Sequence, residues 1–594
     1  MGETIKKVPK GGSFLIEDVS YKQIFTPEDI TEEHQMIAKT TEDFIEKDVL
    51  PYIDEIEDQN FSQSVRLLKK AGELGLLGAD VPEEFGGLGL DKISSALITE
   101  KFSTAGSFSL SHGAHVGIGT LPIVFFGTAK QKENYLPDLA SGEKIAAYAL
   151  TEPGSGSDAL GAKTTAVLNQ AGTHYILNGE KQWITNSGFA DVFIVYAKID
   201  GEQFSAFIVE KTFPGVSTGT EEKKMGIKGS STRTLILDNA EVPKENLLGE
   251  AGKGHLIAFN ILNIGRYKLA IGTIGASKRV IELSARYANQ RRQFQKPLSS
   301  FSLIGEKAAT MASKLYAMES SVYRTVGLFE EKLGALSEED QKDGIKIADA
   351  IAEYAIECSL NKVSGSETLD YIVDEGVQIH GGYGFMQEYE VERRYRDSRI
   401  NRIFEGTNEI NRLIVPGTFL KKAMKGELPL FQKARALQDE LMMLMPEEPG
   451  SEPLDLQKHL LKNAKKIALM TAGLAAERYG KEIEKEQEVL VNLADIVGHV
   501  YSIESAILRT EKSLAEKGEE KSRQKLLYTE IFTQEAFNEI EAHAKETILA
   551  VESGDSLRMT LSALRKLTRH TPLNIIVKKR EAAKMIFAEE RFVV

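Results

Sequence analysis

Residues 191–210 read DVFIVYAKIDGEQFSAFIVE. Two runs rich in β-branched and aromatic residues flank Asp200-Gly201, a pair that tolerates positive φ and favours a tight hairpin. The surrounding stretch, from about 163 to 250, carries further short runs of this kind, which are predicted to end at Asn178-Gly179 and at Asp238-Asn239. Outside it the period changes. Residues 28–150 place apolar side chains at helical spacing, punctuated by Gly/Pro stretches such as VPEEFGGLG (81–89). The helical pattern returns after about 252 and runs to Pro416. In the last segment Val489, Leu493, Ile496, Val500, Ile503 and Ile507 follow a 4-3-4-3-4 spacing, an a/d seam that should pack in a bundle. The expectation is a mainly α chain with an inserted β domain. Its units are a helical domain (1–150), a β domain (151–255), a helical bundle (256–420) and a C-terminal helical extension (421–594). The broken stretch from Pro446 to Pro453 supports the last boundary.

The chain has 594 residues, 42% hydrophobic and 27% charged, which is enough apolar material for several cores. Residues 421–594 carry 28 basic and 28 acidic side chains, so the whole net charge of −14 falls on residues 1–420. A nucleic-acid binder would show a basic footprint, so no nucleic-acid partner is expected. The single cysteine, Cys358, excludes an internal disulfide or a cysteine-cluster metal site, and no metal is expected. The N-terminus lacks the apolar core of a secretory signal, and Lys6 breaks the myristoylation pattern of Gly2. The longest uncharged stretch, 106–129, is interrupted by His112, His115 and Pro122 and reads as a buried helix–loop–helix. The expected location is cytoplasmic. Between Arg558 and Arg591 nine Lys/Arg face three Glu, a tail that could touch anionic lipid but more often makes a solvated helix face.

Five motifs could carry chemistry. Tyr148 to Asp158 (YALTEPGSGSD) is a Gly/Ser/Thr loop able to bring backbone N–H groups against phosphates or polar ring edges. Alone, it is an ordinary turn. In Gln182-Trp183-Ile184-Thr185-Asn186 a strand would place Trp183 and Thr185 on one side, flanking a flat ring, although a lone Trp is more often a core anchor. Arg291-Arg292-Gln293-Phe294 follows a helix and could pair with a pyrophosphate or simply end in solvent. Gln378 to Phe385 (QIHGGYGF) packs three glycines into four residues, a spacing unlike the dinucleotide fingerprint, and His380 reads as structural. In FEGTNEI (404–410), Thr407 can cap a helix that Pro416 ends, leaving Glu405 beside Ile403 and Phe404. A carboxylate in apolar surroundings has a raised pKa and makes a competent general base. A surface Glu before a capped helix is the commoner case.

Together, in order and at these separations, the motifs resemble the acyl-CoA dehydrogenase family over nearly the whole chain. TEPGSGSD (151–158), KQWITN (181–186), RRQF (291–294), QIHGGYGF (378–385) and RDSRINRIFEGTNEI (396–410) carry the likeness. EEKKMGIK (221–228), NILNIGR (260–266) and the C-terminal extension are similar to the very-long-chain branch. The resemblance implies a helical domain, a β-barrel-like middle domain, a helical bundle and the additional helical domain. It also implies FAD, with its ring between the loop at Tyr148, Leu150, Thr151, Gly156 and Ser157 and the strand at Trp183, Ile184 and Thr185. Arg291, Gln293 and Phe294 would reach the pyrophosphate region of a neighbouring subunit's FAD. Gln378, Gly381 and Gly382 would meet the adenine end, and Thr407 and Glu409 would add contacts. Ser157, Arg266, Phe404 and Gly406 would place the acyl-CoA, and Glu405 matches the family's catalytic base. Some members carry the base on the helix around 263–270, where this chain has Gly265.

The implied reaction is FAD-dependent α,β-dehydrogenation of a fatty acyl-CoA, of long chain by branch resemblance, to trans-2-enoyl-CoA, the first step of β-oxidation. Electrons would pass to electron-transferring flavoprotein. Glu405 would take the α-proton, and its backbone N–H would help hold the thioester oxygen as charge develops. A homodimer is implied by the same branch, in which the extra domain covers the tetramer surface of shorter relatives. Membrane attachment carries over poorly, because residues 440–453 are short and acidic. Rival readings are a non-catalytic or dual-role assembly protein on this scaffold, an acyl-CoA oxidase, and a DNA-associated relative. Intact Glu405, a peroxide assay and the balanced charge of the extension discriminate them in turn.

Overall fold

The computed structural model describes residues 8–442 and 448–594. The readings of Lys6 and Pro446 lie outside the described residues. The chain opens with helices α1 (Glu32–Phe44) and α2 (Phe61–Glu73), followed by α3 (Lys92–Phe102), α4 (Ser107–Gly113), α5 (Leu121–Phe126) and α6 (Ala129–Ser141). The uncharged stretch 106–129 is buried as expected, but α4 runs into a π-helical turn, Ala114–Gly119, instead of a loop. A π turn widens the helix without breaking its hydrogen bonding.

Eight strands follow: β1 (Ala146–Ala149), β2 (Thr165–Leu168), β3 (His174–Thr185), β4 (Val192–Ile199), β5 (Gln203–Glu210), β6 (Val216–Thr218), β7 (Thr232–Pro243) and β8 (Leu247–Leu248). They run in the order β6-β7-β3-β2-β4-β5-β8, and β1 pairs with β4 in parallel. The β4–β5 hairpin turns on Asp200 (φ 52°) and Gly201 (φ 79°), as the sequence predicts. Alternation explains the near-continuous apolar run of β4. Phe193, Val195, Ala197 and Ile199 face the core of the β layer, whereas Val192, Ile194 and Tyr196 face the helices.

The other two proposed strand ends are corrected. Asn178-Gly179 lies inside β3 and Asp238-Asn239 inside β7. Here the β3–β7 register shifts between Leu177 and Gly179. The two asparagines hold this bulge, with the Asn239 N–H donating to Asn178 Oδ1 at 2.8 Å. Turn-forming residues mark a bulge as readily as a hairpin.

Helix α7 (Gly254–Gln290) and a two-stranded hairpin, β9 (Arg292–Gln293) with β10 (Lys296–Pro297), lead into α8 (Ser302–Gly334). Then come α9 (Ala355–His380), α10 (Glu390–Ser398) and α11 (Asn408–Met424). Thr407 caps α11, its Oγ1 accepting from the Ile410 N–H. Pro416 does not end this helix, which continues to Met424. A mid-helix proline forfeits one hydrogen bond, and burial of Val415, Phe419 and Ala423 on either side of it holds the helix together.

After a helix at Leu430–Met442, the extension continues with α12 (Asp455–Tyr479), α13 (Gln487–Val551), α14 (Gly554–Thr568) and α15 (Ile575–Glu589). Gly518 (φ 77°, ψ 173°) breaks α13 into two arms, which hydrogen bonds between Ser513 and Ser522 and between Thr510 and Thr529 hold side by side. All six seam residues from Val489 to Ile507 are buried. Among the described residues no helix is long and apolar enough to cross a membrane.

Candidate active site

Glu405 sits on a turn that only a crowded set of donors could hold. Both Glu405 (φ 58°) and Gly406 (φ 79°) are left-handed, a conformation that costs a glutamate roughly 1–2 kcal/mol. The carbonyls of this turn are captured one by one. Arg266 Nε donates to the Glu405 carbonyl at 3.3 Å. Lys362 Nζ donates to the Gly406 carbonyl and to Asn408 Oδ1, each at 2.8 Å. Asn411 Nδ2 donates to the carbonyls of Gly406 (2.9 Å) and Thr407 (3.0 Å). Lys362 and Asn411 are fully buried.

The residue as a whole is half-buried, yet Glu405 Oε2 is closed off from solvent and has no hydrogen-bond partner. Burial pushes its pKa up to about 7, against the opposing charges of Arg266 and Lys362. Burial likewise brings Lys362 down to about 8. The carboxyl group lies against α7: a Cβ built on Gly265 would stand 2.5 Å from Oε2.

Glu405 lines one wall of a cavity of about 230 Å³, which runs between α3, α4, the π turn and α7. Thr185 and Phe404 share that wall, and small residues, Gly113, Ala114, Gly117, Gly272 and Ala276, keep the lumen open. The arrangement suits an extended apolar chain with a proton acceptor at one point along it.

Residues 148–157 and 181–185 are brought side by side. The Gln182 N–H donates to the Thr151 carbonyl at 2.9 Å. The buried Lys181 ammonium donates to Glu152 Oε1 at 2.7 Å and to the Leu150 carbonyl at 3.3 Å. Glu152 also accepts from Thr164 and from the Lys163 N–H, which folds the loop back on β3. Gly156 and Ser157 are exposed on the far side of this loop. The Tyr148 ring meets Tyr196 edge-on at 5.4 Å. Trp183 is no core anchor. It is 60% exposed, and its φ of 59° interrupts the β3–β7 register between Lys181 and Ile184. Ile184 turns into the β core, so only its backbone faces the loop side.

A second groove, of about 520 Å³, gathers Arg291, Gln293, Gln378, Gly381 and Gly382. Gly381 and Gly382 have open space where a Cβ would stand. Arg291 stacks on the Tyr383 ring at 5.4 Å and meets no carboxylate among the described residues. Phe294 crowns the β9–β10 hairpin at 87% exposure. Glu409 is exposed in the first turn of α11, its pKa lowered by hydrogen bonds from its own backbone N–H and from the Thr407 hydroxyl. His380 is structural, bonded to the Gly376 carbonyl at 2.7 Å and stacked on Tyr287.

An exposed indole beside an open Gly/Ser loop fits a flat ring, and a guanidinium without a carboxylate partner among the described residues, sharing a groove with two glycines, fits a pyrophosphate. Lys362 and Asn411 lie outside the five motifs of the sequence, whereas Glu152 and Lys181 fall within TEPGSGSD and KQWITN with no role read for them. A lone Lys or Asn within a helix carries no local signal of what it faces.

Four family models match the chain. The acyl-CoA dehydrogenase N-terminal domain covers residues 31–143, and the middle domain covers 147–240. Two acyl-CoA dehydrogenase C-terminal domain models cover 252–416 and 463–566. A probable acyl-CoA dehydrogenase of Bacillus subtilis is 78% identical over 594 residues, the whole of both chains. The very long-chain specific acyl-CoA dehydrogenase of Macaca fascicularis is 40% identical over 379 residues, which is 61% of this chain and 55% of that protein. A crystal structure of an acyl-CoA dehydrogenase complexed with FAD from Bacillus anthracis is 73% identical with a TM-score of 0.98, covering 99% of this chain and all of that one. With these matches spanning the N-terminal helices, the β layer, the bundle and most of the extension, the chain belongs to the acyl-CoA dehydrogenase family.

Proposed function

We propose that this chain binds FAD and dehydrogenates a long-chain fatty acyl-CoA between Cα and Cβ, giving the trans-2-enoyl-CoA. The observation that carries the reading is the Glu405 carboxyl: its pKa is pushed up to about 7, and it is held on a strained turn at the wall of an apolar cavity. A base with a pKa near the working pH combines a large ionised fraction with real proton affinity. Glu405 takes the α-proton. Its own backbone N–H, with Arg266 bracing the turn from the carbonyl side, is available to the thioester oxygen as charge develops. FAD, when bound, supplies the acceptor for the β-hydrogen, which leaves as hydride.

The loop from Tyr148 to Ser157, with Trp183, Thr185 and the Ile184 backbone, would flank the ring. Arg291 and Gln293 would hold the pyrophosphate, with Gln378, Gly381 and Gly382 at the adenine end. Phe294 would reach across to a partner subunit, making the working form a homodimer. Thr407 and Glu409 would add contacts, and Ser157, Arg266, Phe404 and Gly406 would place the acyl-CoA. The small residues that line the cavity, Gly113, Ala114, Gly117, Gly272 and Ala276, support a long chain. Family membership supports reoxidation by electron-transferring flavoprotein, as the resemblance implies.

The test is an anaerobic titration of purified protein with palmitoyl-CoA and butyryl-CoA, read at the flavin band near 450 nm. Bleaching by palmitoyl-CoA is expected for the wild type and none for Glu405→Gln. A yellow protein that no acyl-CoA bleaches would sink the dehydrogenase reading and favour an assembly role on this scaffold.

A further inference from the structure

The last matched domain model stops at residue 566, so helix α15 lies beyond all four. It packs on the body together with part of α13, whose Ala506, Leu527, Tyr528 and Ile531 share the body core. The apolar residues of α12, α14 and much of α13 build a second core, closed by Ile356 and Leu360 of α9 and by Val415 and Phe419 of α11. Ala582, Ala583 and Ile586 of α15 lie in the core of the body, with Ala308, Ala309 and Ala312 of α8. A Cβ on Gly305 would lie 3.4 Å from the Ala583 methyl, so the two helices run in close contact. Beyond α15, Phe592 stacks on Tyr528 at 5.8 Å, which pins the chain's end.

Between these two anchors the last turn of α15 meets the end of α7. Asn289 Nδ2 donates to the Phe587 carbonyl at 2.8 Å and to Glu590 Oε1 at 3.0 Å. Arg286 stands 3.9 Å from the other Glu590 oxygen. Glu590 caps the helix in a left-handed conformation (φ 53°, ψ 30°), where glycine is favoured. A glutamate there bears strain, and its carboxylate is aimed at Asn289.

Asn289 lies two residues before Arg291, and the Arg291 carbonyl accepts from the Leu298 N–H at 2.9 Å, closing the root of the β9–β10 hairpin. Residues 291–296 are all exposed. A hairpin with two-residue strands has little stability of its own; beyond its root it touches Phe301, through the Phe294 ring at 6.1 Å and Lys296 Nζ at 4.1 Å, so its direction depends on its root and on that one side chain.

We propose that α15, through Glu590 and Asn289, is a positioning strap for the 291–298 hairpin, by which the end of the C-terminal extension sets how tightly the chain holds FAD. The proposal rests on the reading that Arg291 and Gln293 hold the FAD pyrophosphate. Preorganising a binding element raises affinity by removing the cost of ordering it.

The experiment strips FAD from the full-length protein and measures FAD affinity, amide hydrogen exchange at 291–298 in the apoprotein, and melting temperature. Glu590→Gly deletes the carboxylate and relieves the left-handed strain. Its melting temperature should hold or rise, while hairpin exchange quickens and FAD binds roughly 3- to 10-fold more weakly. Glu590→Gln keeps an acceptor and should stay near wild type. Asn289→Ala loses both contacts and should exceed Glu590→Gly in effect. Arg291→Ala tests the underlying reading on its own. If Arg291→Ala loses FAD while Glu590→Gly and Asn289→Ala match wild type in affinity and exchange, the strap is overturned and the FAD reading stands. If Arg291→Ala binds FAD like wild type, the reading fails and the strap's link to FAD falls with it.

Discussion

At the scale of single residues, the site is a contest between burial and two cations over one carboxyl group. Burial raises Glu405 to about 7, and Arg266 and Lys362 oppose the rise. The base works as the carboxylate, so activity should climb with pH through that value. Lys362→Met removes one opposing charge and the donor to the Gly406 carbonyl. The pH–rate limb should then move up by about one unit, with kcat at pH 7 roughly 5-fold lower. A variant that merely melts earlier while keeping the limb in place would refute the electrostatic role. Gly265→Ala should separate stability from activity. Its Cβ would displace the Glu405 carboxyl, and a shift of about 1 Å costs on the order of 100-fold in kcat. Relieving a mid-helix glycine favours α7 by up to about 1 kcal/mol. Melting curves beside steady-state rates would check both halves.

At the scale of elements, α4 and its π turn decide what the cavity can take. A Cβ at Gly113 meets nothing within 4 Å, since it points into the lumen. Gly113→Leu should therefore fold normally and shorten the cavity. Palmitoyl-CoA turnover should fall at least roughly 10-fold, a steric loss of about 1.4 kcal/mol or more, while butyryl-CoA turnover holds. Equal losses for both substrates would place the acyl chain elsewhere. The elements were legible to different degrees. Asp200-Gly201 announced its hairpin because both residues accept positive φ at low cost. The same chemistry at Asn178-Gly179 and Asp238-Asn239 makes a bulge, and only the partner strand distinguishes the two outcomes. Pro416 marked a helix end by local rule, and packing of Val415 and Phe419 overrode it.

At the scale of the molecule, buried ion networks tie the extension to the body. Arg509 of α13 donates to Glu28 of the N-terminal segment at 2.8 Å and to Glu319 of α8 at 2.7 Å. Lys278 of α7 completes the set with Glu319 and Glu100. Arg509→Met removes the cation shared by Glu28 and Glu319, leaving each with one lysine partner, Lys525 and Lys278, and should cost roughly 1.5–3 kcal/mol, read by chemical denaturation. A single unfolding transition in the wild type that splits into two in this variant would identify the network as the coupling between extension and body. Acid should attack a second cluster. Burial would raise Glu390, but Arg394 and Arg279 bring it down to about 2. A depressed carboxylate stabilises the fold above its ordinary pKa of 4.5, and the gain is lost as pH falls from there towards 2. Glu390→Gln should lose about 3 kcal/mol at neutral pH and show a flatter melting profile between pH 5 and 3.

The order of helical, strand and helical segments, the hairpin at 200–201, the a/d seam and the family motifs with Glu405 among them could be read from the sequence alone. Each depends on neighbours along the chain, where periodicity and turn chemistry operate. Tertiary structure alone decided which side chains face Glu405 and which way the end of the chain turns. Gly265, Lys362 and Asn411 reach the Glu405–Thr407 turn from α7, α9 and α11, and Trp183 leaves the core because β3 bulges against β7. The raised pKa of Glu405 follows from this convergence, since desolvation depends on what closes around a group in space.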